Sequence, residues 1–151
     1  MRRWGWVAAG WATAFAVLHI FWAMGGSVGL ASSAGERLAA ERPGWFVAGG
    51  LWGVAVLLLF GAGLAIALAR SRRRRLVVLS GAAVGLLLLL RGLGIEALLL
   101  AGAYDSNAAM SDQQRLWSHV LWNPWFVAGG LVFLLAARGG ADRPGGAAAP
   151  M

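Results

Sequence analysis

The sequence predicts an all-α polytopic membrane protein, a bundle of four transmembrane helices. Hydrophobic residues make up 60% of the 151-residue chain and charged residues only 13%, a composition too apolar for a soluble domain of this size. Four stretches are almost free of charge, and each has about the 20 residues that a helix needs to cross about 30 Å of hydrocarbon. They cover residues 4–26, 45–69, 76–103 and 116–137.

The arginines predict how these four spans are oriented. All 13 basic residues are arginine, and most of them precede span 1, separate spans 2 and 3, or follow span 4. By the positive-inside rule these three segments are cytoplasmic. We therefore expect a multi-pass protein of the inner (plasma) membrane with both termini in the cytoplasm. The arginines concerned are Arg2, Arg3, Arg70, Arg72, Arg73, Arg74, Arg75, Arg138 and Arg143.

A single transmembrane domain is expected over residues 1–137, followed by a cytoplasmic tail over residues 138–151. The tail is rich in Gly, Ala and Pro and has no hydrophobic periodicity, which is typical of disorder. Because Arg2 and Arg3 precede an apolar run, span 1 can also be interpreted as a cleavable signal peptide. Its length and its tryptophans favour a permanent helix.

Composition and motifs exclude several classes of function. The net charge is +7, but the arginines are interfacial and no aromatic-basic motif accompanies them, so we expect contact with anionic lipids and not with nucleic acid. The chain has no cysteine, which excludes disulfides and thiol chemistry. Phosphate loops, dinucleotide fingerprints and catalytic triads are absent. Because His19, His119 and Glu96 lack the i, i+3 or i+4 spacing of helix-borne ligands, we expect no metal and no cofactor.

The heptapeptide WFVAGGL occurs twice, at residues 45–51 and 125–131. Each copy follows an external loop and opens a span that descends toward the cytoplasm, so the repeat predicts two parallel helical hairpins. The Trp-Phe pair suits a membrane interface, and the small residues after it suit close helix packing. We expect such packing faces at Gly49 with Gly53 and at Gly81 with Gly85.

Short helices are predicted in both external loops. Ser33 followed by Glu36 has the spacing of a capping box, as has Ser111 followed by Gln114. Arg37 can form an ion pair with the glutamate four residues after it. Each loop helix therefore lies directly before a copy of the heptapeptide.

A proline shortens the fourth span. Residues 124–137 make only about 21 Å of helix, which cannot cross a bilayer alone. The preceding stretch LWSHVLWN must therefore enter the membrane, either as a kinked helix or as a re-entrant corner. Both geometries turn His119, Trp122 and Asn123 toward the bundle.

Four titratable side chains lie within the spans. Ionisable groups in hydrocarbon are costly and mark a functional site by default. A rise of about 1.5 Å per residue places His19, Arg91, Glu96 and His119 in the outer half of the membrane. We take Glu96, His119 and His19 as candidate catalytic residues. The candidate substrate-binding residues are Arg91, Trp11, Trp22, Trp122 and Asn123.

The partners of these polar groups can be narrowed by geometry. Trp11, Phe15, His19 and Trp22 share one face of helix 1. Arg91 lies about 140° around its helix from the glutamate five residues later, so the two do not form an i, i+4 pair. We expect Glu96 to pair with His119, and Arg91 to meet backbone carbonyls, Asn123 or a ligand anion. The alternative is a structural polar network that holds the bundle in register.

Three short motifs carry a family resemblance. Span 1 ends in LHIFWAMGG, span 3 contains RGLG, and span 4 opens with WNPWF. Over residues 19–133 this pattern resembles a family of small bacterial four-helix membrane proteins described only as a domain of unknown function. The resemblance implies the fold and topology and no activity. The matching positions are His19, Trp22, Ala23, Gly25, Gly26, Arg91, Gly94 and Pro124.

Three functions follow as hypotheses. The first is a binding or accessory subunit with a polar, Trp-lined cavity open toward the outer face. The second is an enzyme on a prenyl or lipid substrate, a terpene-type cyclase or isomerase, in which Glu96 and His119 supply a proton and tryptophans stabilise a carbocation. The third is a transporter or channel subunit that uses Arg91 for an anion. The expected partners are membrane lipids, a prenyl- or lipid-like ligand, and a second copy of the chain or another membrane protein.

Overall fold

Four long helices form the bundle that the composition predicts. The computed structural model describes residues 2–70, 75–103 and 110–138, and within these ranges all regular structure is helical. Four helices are long and apolar enough to cross a membrane, which confirms the predicted fold class. They are Arg3–Ala23, Phe46–Ala69, Arg75–Leu100 and Asp112–Arg138.

The spans and the segments between them contain α-helices and two π-helical turns. The π-helical turns, Phe46–Gly53 and Ser118–Trp122, lead directly into α-helices. The α-helices are α1 (Arg2–Ala23), α2 (Leu30–Ala34), α3 (Glu36–Glu41), α4 (Val54–Ala69), α5 (Arg75–Leu100), α6 (Asp112–Trp117) and α7 (Asn123–Arg138). We call the end of the bundle with the short helices α2, α3 and α6 the cap end, and the opposite end, with Arg70 and Arg75, the arginine end.

Helices α1 and α5 end before the apolar stretches do. They stop at Ala23 and Leu100, whereas hydropathy extends the spans to residues 26 and 103. Gly25 and Gly102 follow the two helices with φ of 111° and 71°. Glycine reaches positive φ without the steric cost of a side chain and commonly ends a helix in this way. Hydropathy reports which residues suit lipid, and it does not detect such a backbone stop.

The spans pack as two hairpins, as the repeat predicts. Helix α1 lies along α4, and α5 lies along α7. The hairpins meet through α1 and α7, while α4 and α5 share less contact, part of it between Leu68 and Gly81 near the arginine end. Helices α4 and α5 therefore leave a gap between the hairpins.

Glycines bring α5 and α7 close together. A methyl group on Gly130 would lie 2.8 Å from the Gly85 carbonyl oxygen and 2.9 Å from the Leu89 nitrogen. Only a hydrogen at that position lets two helix backbones approach so closely. A methyl group on Gly81 would also collide with Leu68, at 2.7 Å. The predicted packing face at Gly81 and Gly85 is confirmed.

The two copies of WFVAGGL adopt different backbones and different packing. The first copy lies in the π-helical turn before α4, and the second lies in α7. A methyl group on Gly129 would overlap the Trp11 ring, whereas one on Gly49 would have no atom within 4 Å, and one on Gly53 would meet only the carbonyl oxygen of Ala48 in its own helix. The predicted packing face at Gly49 and Gly53 is therefore wrong, because no second helix covers it.

Span 4 enters the bundle before its proline, as its length requires. Asp112–Arg138 is helical throughout, with a π-helical turn just before Pro124. Proline removes a backbone donor and crowds the preceding turn, and a wider π turn accommodates both effects. Trp122 and Asn123 are buried, at 8% and 2% exposure, and His119 is half-buried. The structure shows a continuous helix and not a re-entrant corner.

The two predicted capping boxes have different outcomes. Ser111 is the N-cap of α6, and its Oγ accepts a hydrogen bond from the Gln114 backbone nitrogen at 3.2 Å, which confirms the serine half of that box. The box at Ser33 is wrong, because Ser33 lies within α2 and the residue before α3 is Gly35, with φ of 90°. Glycine in that conformation begins α3 without a side-chain cap.

Arg42 closes the carboxyl end of α1, a role that the sequence did not suggest. Its guanidinium donates to the carbonyl oxygens of Gly25 and Gly26, both at 3.2 Å, and to that of Trp22. The Gly25 and Gly26 carbonyls lie just beyond the end of α1, and the Trp22 carbonyl also accepts from the Gly25 backbone nitrogen at 3.1 Å. A cation at this end complements the helix dipole. Arg42 thus ties the cap end to α1.

Some predicted features lie outside the described residues. Arg72, Arg73, Arg74, Arg143 and residues 139–151 belong to this group, so the disordered tail stays a prediction. The identity of the membrane and the cytoplasmic position of the termini also stay predictions.

Candidate functional site

A cleft of about 700 Å³ lies between the two hairpins. Helices α1 and α7 form its aromatic back wall, and leucine and valine side chains of α4 and α5 line its front. Leu57, Phe60 and Leu87 line the front and are 69%, 73% and 66% exposed, so the cleft opens sideways between α4 and α5. Its polar and aromatic lining residues include Trp11, Phe15, His19, Arg91, Trp122 and Phe126.

The back wall is the predicted aromatic face of helix 1. Trp11, Phe15, His19 and Trp22 are all buried. The Phe15 ring stacks on that of Trp122 with centroids 6.4 Å apart, and Trp22 packs against the same indole at 5.9 Å. Aromatic pairs in such geometries add about 0.5–1.5 kcal/mol each beyond the area they bury. The face is confirmed, and it joins the two hairpins.

One ring nitrogen of His19, Nδ1, is occupied by a hydrogen bond within α1. Its Nδ1–H donates to the Phe15 carbonyl oxygen at 2.9 Å, and its ring lies edge-on to Phe15 and Trp22 at 4.6 Å and 5.1 Å. Within the described residues Nε2 has no hydrogen-bond partner. His19 therefore presents Nε2 as the ring nitrogen that can act on a ligand in the cleft.

Arg91 brings a positive charge to the cleft. Its guanidinium carbon lies over the Phe126 ring, 4.9 Å from the centroid, a cation–π contact. Of the partners expected for Arg91, Asn123 is excluded, because its Oδ1 accepts no hydrogen bond and its Nδ2 donates to Glu96. A guanidinium carries five N–H donors in its own plane, so Arg91 can donate hydrogen bonds at the cleft while it contacts Phe126.

Glu96, His119 and Asn123 form a separate cluster, which we call the polar knot. His119 Nδ1–H donates to Glu96 Oε1, and Asn123 Nδ2 donates to Glu96 Oε2, both at 2.7 Å. The expected pairing of Glu96 with His119 is confirmed. A methyl group on Gly92 would lie 2.9 Å from the Asn123 carbonyl oxygen, so the knot lies where the backbones of α5 and α7 are in close contact. None of its three side chains lines the cleft.

Comparison with known proteins places the chain in a family. A family model described as "Protein of unknown function (DUF3995)" matches residues 12–133. The chain belongs to this family. The match covers both hairpins and most of the cleft and confirms the resemblance seen in the sequence. Comparisons with curated proteins and with solved structures find no match.

In this DUF3995 chain the predicted site residues fall into two groups. His19, Arg91, Trp11 and Trp122 line the cleft, and Glu96, His119 and Asn123 form the polar knot. Trp22 belongs to neither group. That indole lines a smaller cavity at the cap end. The angle of about 140° between Arg91 and Glu96 on α5 explains the division, because the two residues face different neighbours.

Sequence reasoning missed several cleft residues. Phe126 supports Arg91, and Phe133 and the α4 side chains complete the wall. Phe126 follows Trp122 by four residues and Phe133 follows Phe126 by seven, so helical spacing from Trp122 could have identified both. No signal in the sequence identified the α4 side chains, because α4 is apolar on all sides.

Proposed function

We propose that this protein binds an anionic amphiphile, a lipid with a phosphate or carboxylate head group, in the cleft. The observation that carries the proposal is the division of the cleft into an apolar front that opens between α4 and α5 and a wall that presents Arg91 and His19. An amphiphile has the same two parts. A volume of about 700 Å³ lies within the usual range for ligand sites.

The front supports entry of the ligand from the bilayer. Leu57 and Leu87 stand on opposite sides of the opening, one on α4 and one on α5, and both are largely exposed. In a membrane these side chains contact lipid tails, so an acyl or prenyl chain can pass into the cleft without crossing water. The ligand chain exchanges contacts with lipid tails for contacts with apolar side chains, which gives little net selectivity. The specificity of binding must therefore come from Arg91 and His19.

The polar wall supports a negative head group. A guanidinium in a low-dielectric site is stabilised by an anion, and its planar donors match carboxylate or phosphate oxygens. The Phe126 ring supports the guanidinium, whose carbon lies 4.9 Å from the ring centroid. His19 Nε2 adds an acceptor for a hydroxyl or a protonated oxygen, or a donor when the ring is charged. Together Arg91 and His19 can distinguish head groups by their charge and by the presence of a hydroxyl group.

The test compares ligands that share tails and differ in the head group. In the first arm, phosphatidate and diacylglycerol are titrated into the protein in neutral detergent, and native mass spectrometry counts the bound molecules. The second arm repeats the titration with a fatty acid and the fatty alcohol of equal length. Arg91→Leu is expected to weaken phosphatidate about tenfold, since hydrogen bonds to charged groups contribute about 1.5–3 kcal/mol. Diacylglycerol binding should not change. Arg70→Leu, at an exposed position of the arginine end, is the control.

A second pair of variants tests the location. Gly61 lines the cleft and Gly63 does not; a methyl group on Gly61 would lie 3.8 Å from Phe133, and one on Gly63 would have no atom within 4 Å. Gly61→Leu should reduce binding of every ligand, and Gly63→Leu should leave it unchanged. Equal effects of Arg91→Leu and Arg70→Leu, or full binding by Gly61→Leu, would contradict the proposal.

An enzyme acting on the same ligand is the second candidate, and the open Nε2 of His19 favours it. The cyclase hypothesis assigned the proton to Glu96, which lies outside the cleft, whereas His19 lines the cleft and its imidazole can accept or donate a proton. If the protein is an enzyme, His19→Gln should co-purify from its native membrane with a different compound from the wild type. Identical extracted compounds would favour binding alone. Anion transport through Arg91 stays a prediction that flux into liposomes would test.

A further inference from the structure

A second cavity of about 410 Å³ lies at the cap end between α2 and α6. We call it the cap pocket. Its walls include the indoles of Trp22, Trp117 and Trp122, the carboxylate of Glu36 and the amide of Gln114. Trp22 and Trp122 are buried, and Trp117 is 40% exposed, so the pocket is reached from the protein surface. Trp122 separates it from the cleft, since the same indole lines both cavities.

The charge of the cap pocket is opposite to that of the protein. The chain carries +7, yet Glu36 is the one charged side chain among the described residues that line the pocket. The two nearest arginines along the chain are engaged elsewhere. Arg37 pairs with Glu41 at 3.7 Å, which confirms the predicted ion pair, and Arg42 binds the end of α1. Within the described ranges the Glu36 carboxylate has no ion pair or hydrogen bond.

We propose that the cap pocket binds a small organic cation of the quaternary ammonium class. Indole is the most effective natural ring for cation–π attraction, and aromatic walls are the usual recognition surface for quaternary ammonium groups. Glu36 supplies the countercharge at the rim. Among the described residues no group of three or more His, Cys, Asp or Glu side chains is placed to hold a metal ion, whereas a poorly hydrated organic cation is attracted by the indole rings.

The charge of the cap pocket distinguishes its proposed ligand from the one proposed for the cleft. Arg91 and its charge belong to the cleft, and within the described part of the chain no arginine lines the cap pocket. The two sites therefore select opposite charges at different depths of the bundle. The cap-pocket proposal does not depend on the cleft ligand, and variants of Glu36 and Arg91 test the two separately.

The experiment uses choline and its neutral isostere 3,3-dimethyl-1-butanol, which differ in charge and hardly in shape. Saturation-transfer NMR on the detergent-solubilised full chain measures contact of the methyl groups and, by titration, affinity. Choline is expected to bind at least about fivefold more tightly than the alcohol, since cation–π contacts at exposed sites contribute about 0.5–1 kcal/mol and the carboxylate adds a similar amount. Glu36→Gln and Trp117→Leu should each weaken choline about two- to fivefold.

Asp112→Asn is the matched control for Glu36→Gln. Both carboxylates are exposed and lie in the first turn of a short helix at the cap end, so both variants should fold and lose the same net charge, but only Glu36 lines the cap pocket. Glu41→Gln is not used, because it would remove the ion-pair partner of Arg37. A selective loss with Glu36→Gln supports the site. Equal loss with both variants would show a general surface-charge effect, and equal binding of choline and the alcohol would show an apolar pocket without cation recognition. Either outcome overturns the proposal.

Discussion

Replacing Gly130 by alanine is expected to destabilise the folded protein by about 1–3 kcal/mol, the usual cost of overpacking. The added methyl group would stand 2.8 Å from the Gly85 carbonyl oxygen and 2.9 Å from the Leu89 nitrogen. Both are backbone atoms of α5, so no side chain can rotate away and the two helices must separate. The free energy of unfolding, measured by titration with SDS in mixed micelles, reports the loss.

The repeated heptapeptide provides a matched control for this prediction. Gly49 and Gly129 occupy the same place in two identical sequences, but a methyl group on Gly49 has no atom within 4 Å, while one on Gly129 overlaps the Trp11 ring. Gly49→Ala should leave stability unchanged or raise it by up to about 1 kcal/mol through better helix propensity. Gly129→Ala should destabilise. If the two variants behaved alike, local propensity and not helix packing would explain the glycines.

The features that the sequence predicts correctly are those that depend on local pattern. Charge-free length predicts four spans, and the spacing of Trp11, Phe15, His19 and Trp22 predicts a buried face. Ser111 caps α6 because its spacing to Gln114 is a property of one turn. Periodicity and capping act within a few residues, and they hold whatever the rest of the chain does.

The features that it does not predict depend on which helix lies opposite. Gly49 and Gly129 have the same neighbours in sequence and different neighbours in space. Arg42 reaches back 16 residues to Gly26, and no motif marks that contact. The height of Arg91 and Glu96 along α5 can be counted from the sequence, but the rotation of the helix about its axis cannot. That rotation places one side chain in the cleft and the other in the polar knot.

Replacing Glu96 by leucine is expected to destabilise the protein by about 2–3 kcal/mol. The change removes the acceptors of two hydrogen bonds of 2.7 Å, and it leaves the Asn123 amide, which is 2% exposed, without a partner. An unsatisfied buried donor costs about 1–3 kcal/mol. The His119 side chain is 29% exposed, so the loss of its hydrogen bond to Glu96 costs less free energy. SDS titration of Glu96→Leu, with Glu41→Leu on exposed α3 as the control, measures the difference.

A double-mutant cycle shows whether the loss belongs to the knot. Asn123→Leu removes the amide that Glu96 accepts from, so the double variant with Glu96→Leu should cost less than the sum of the single variants, because neither the amide nor the carboxylate is then left without the other. Additive losses would show that the two residues act independently.

Glu96→Gln separates the structural role from a catalytic one. The amide keeps one acceptor oxygen in place of two, so it cannot accept from both His119 and Asn123 as the carboxylate does. Stability should fall by less than with leucine, while phosphatidate binding by the folded protein should stay unchanged, because Glu96 does not line the cleft. If Glu96→Gln instead left stability intact and altered the compound bound in the cleft, the carboxylate would be acting on the ligand. The polar knot would then have to open toward the cleft during turnover.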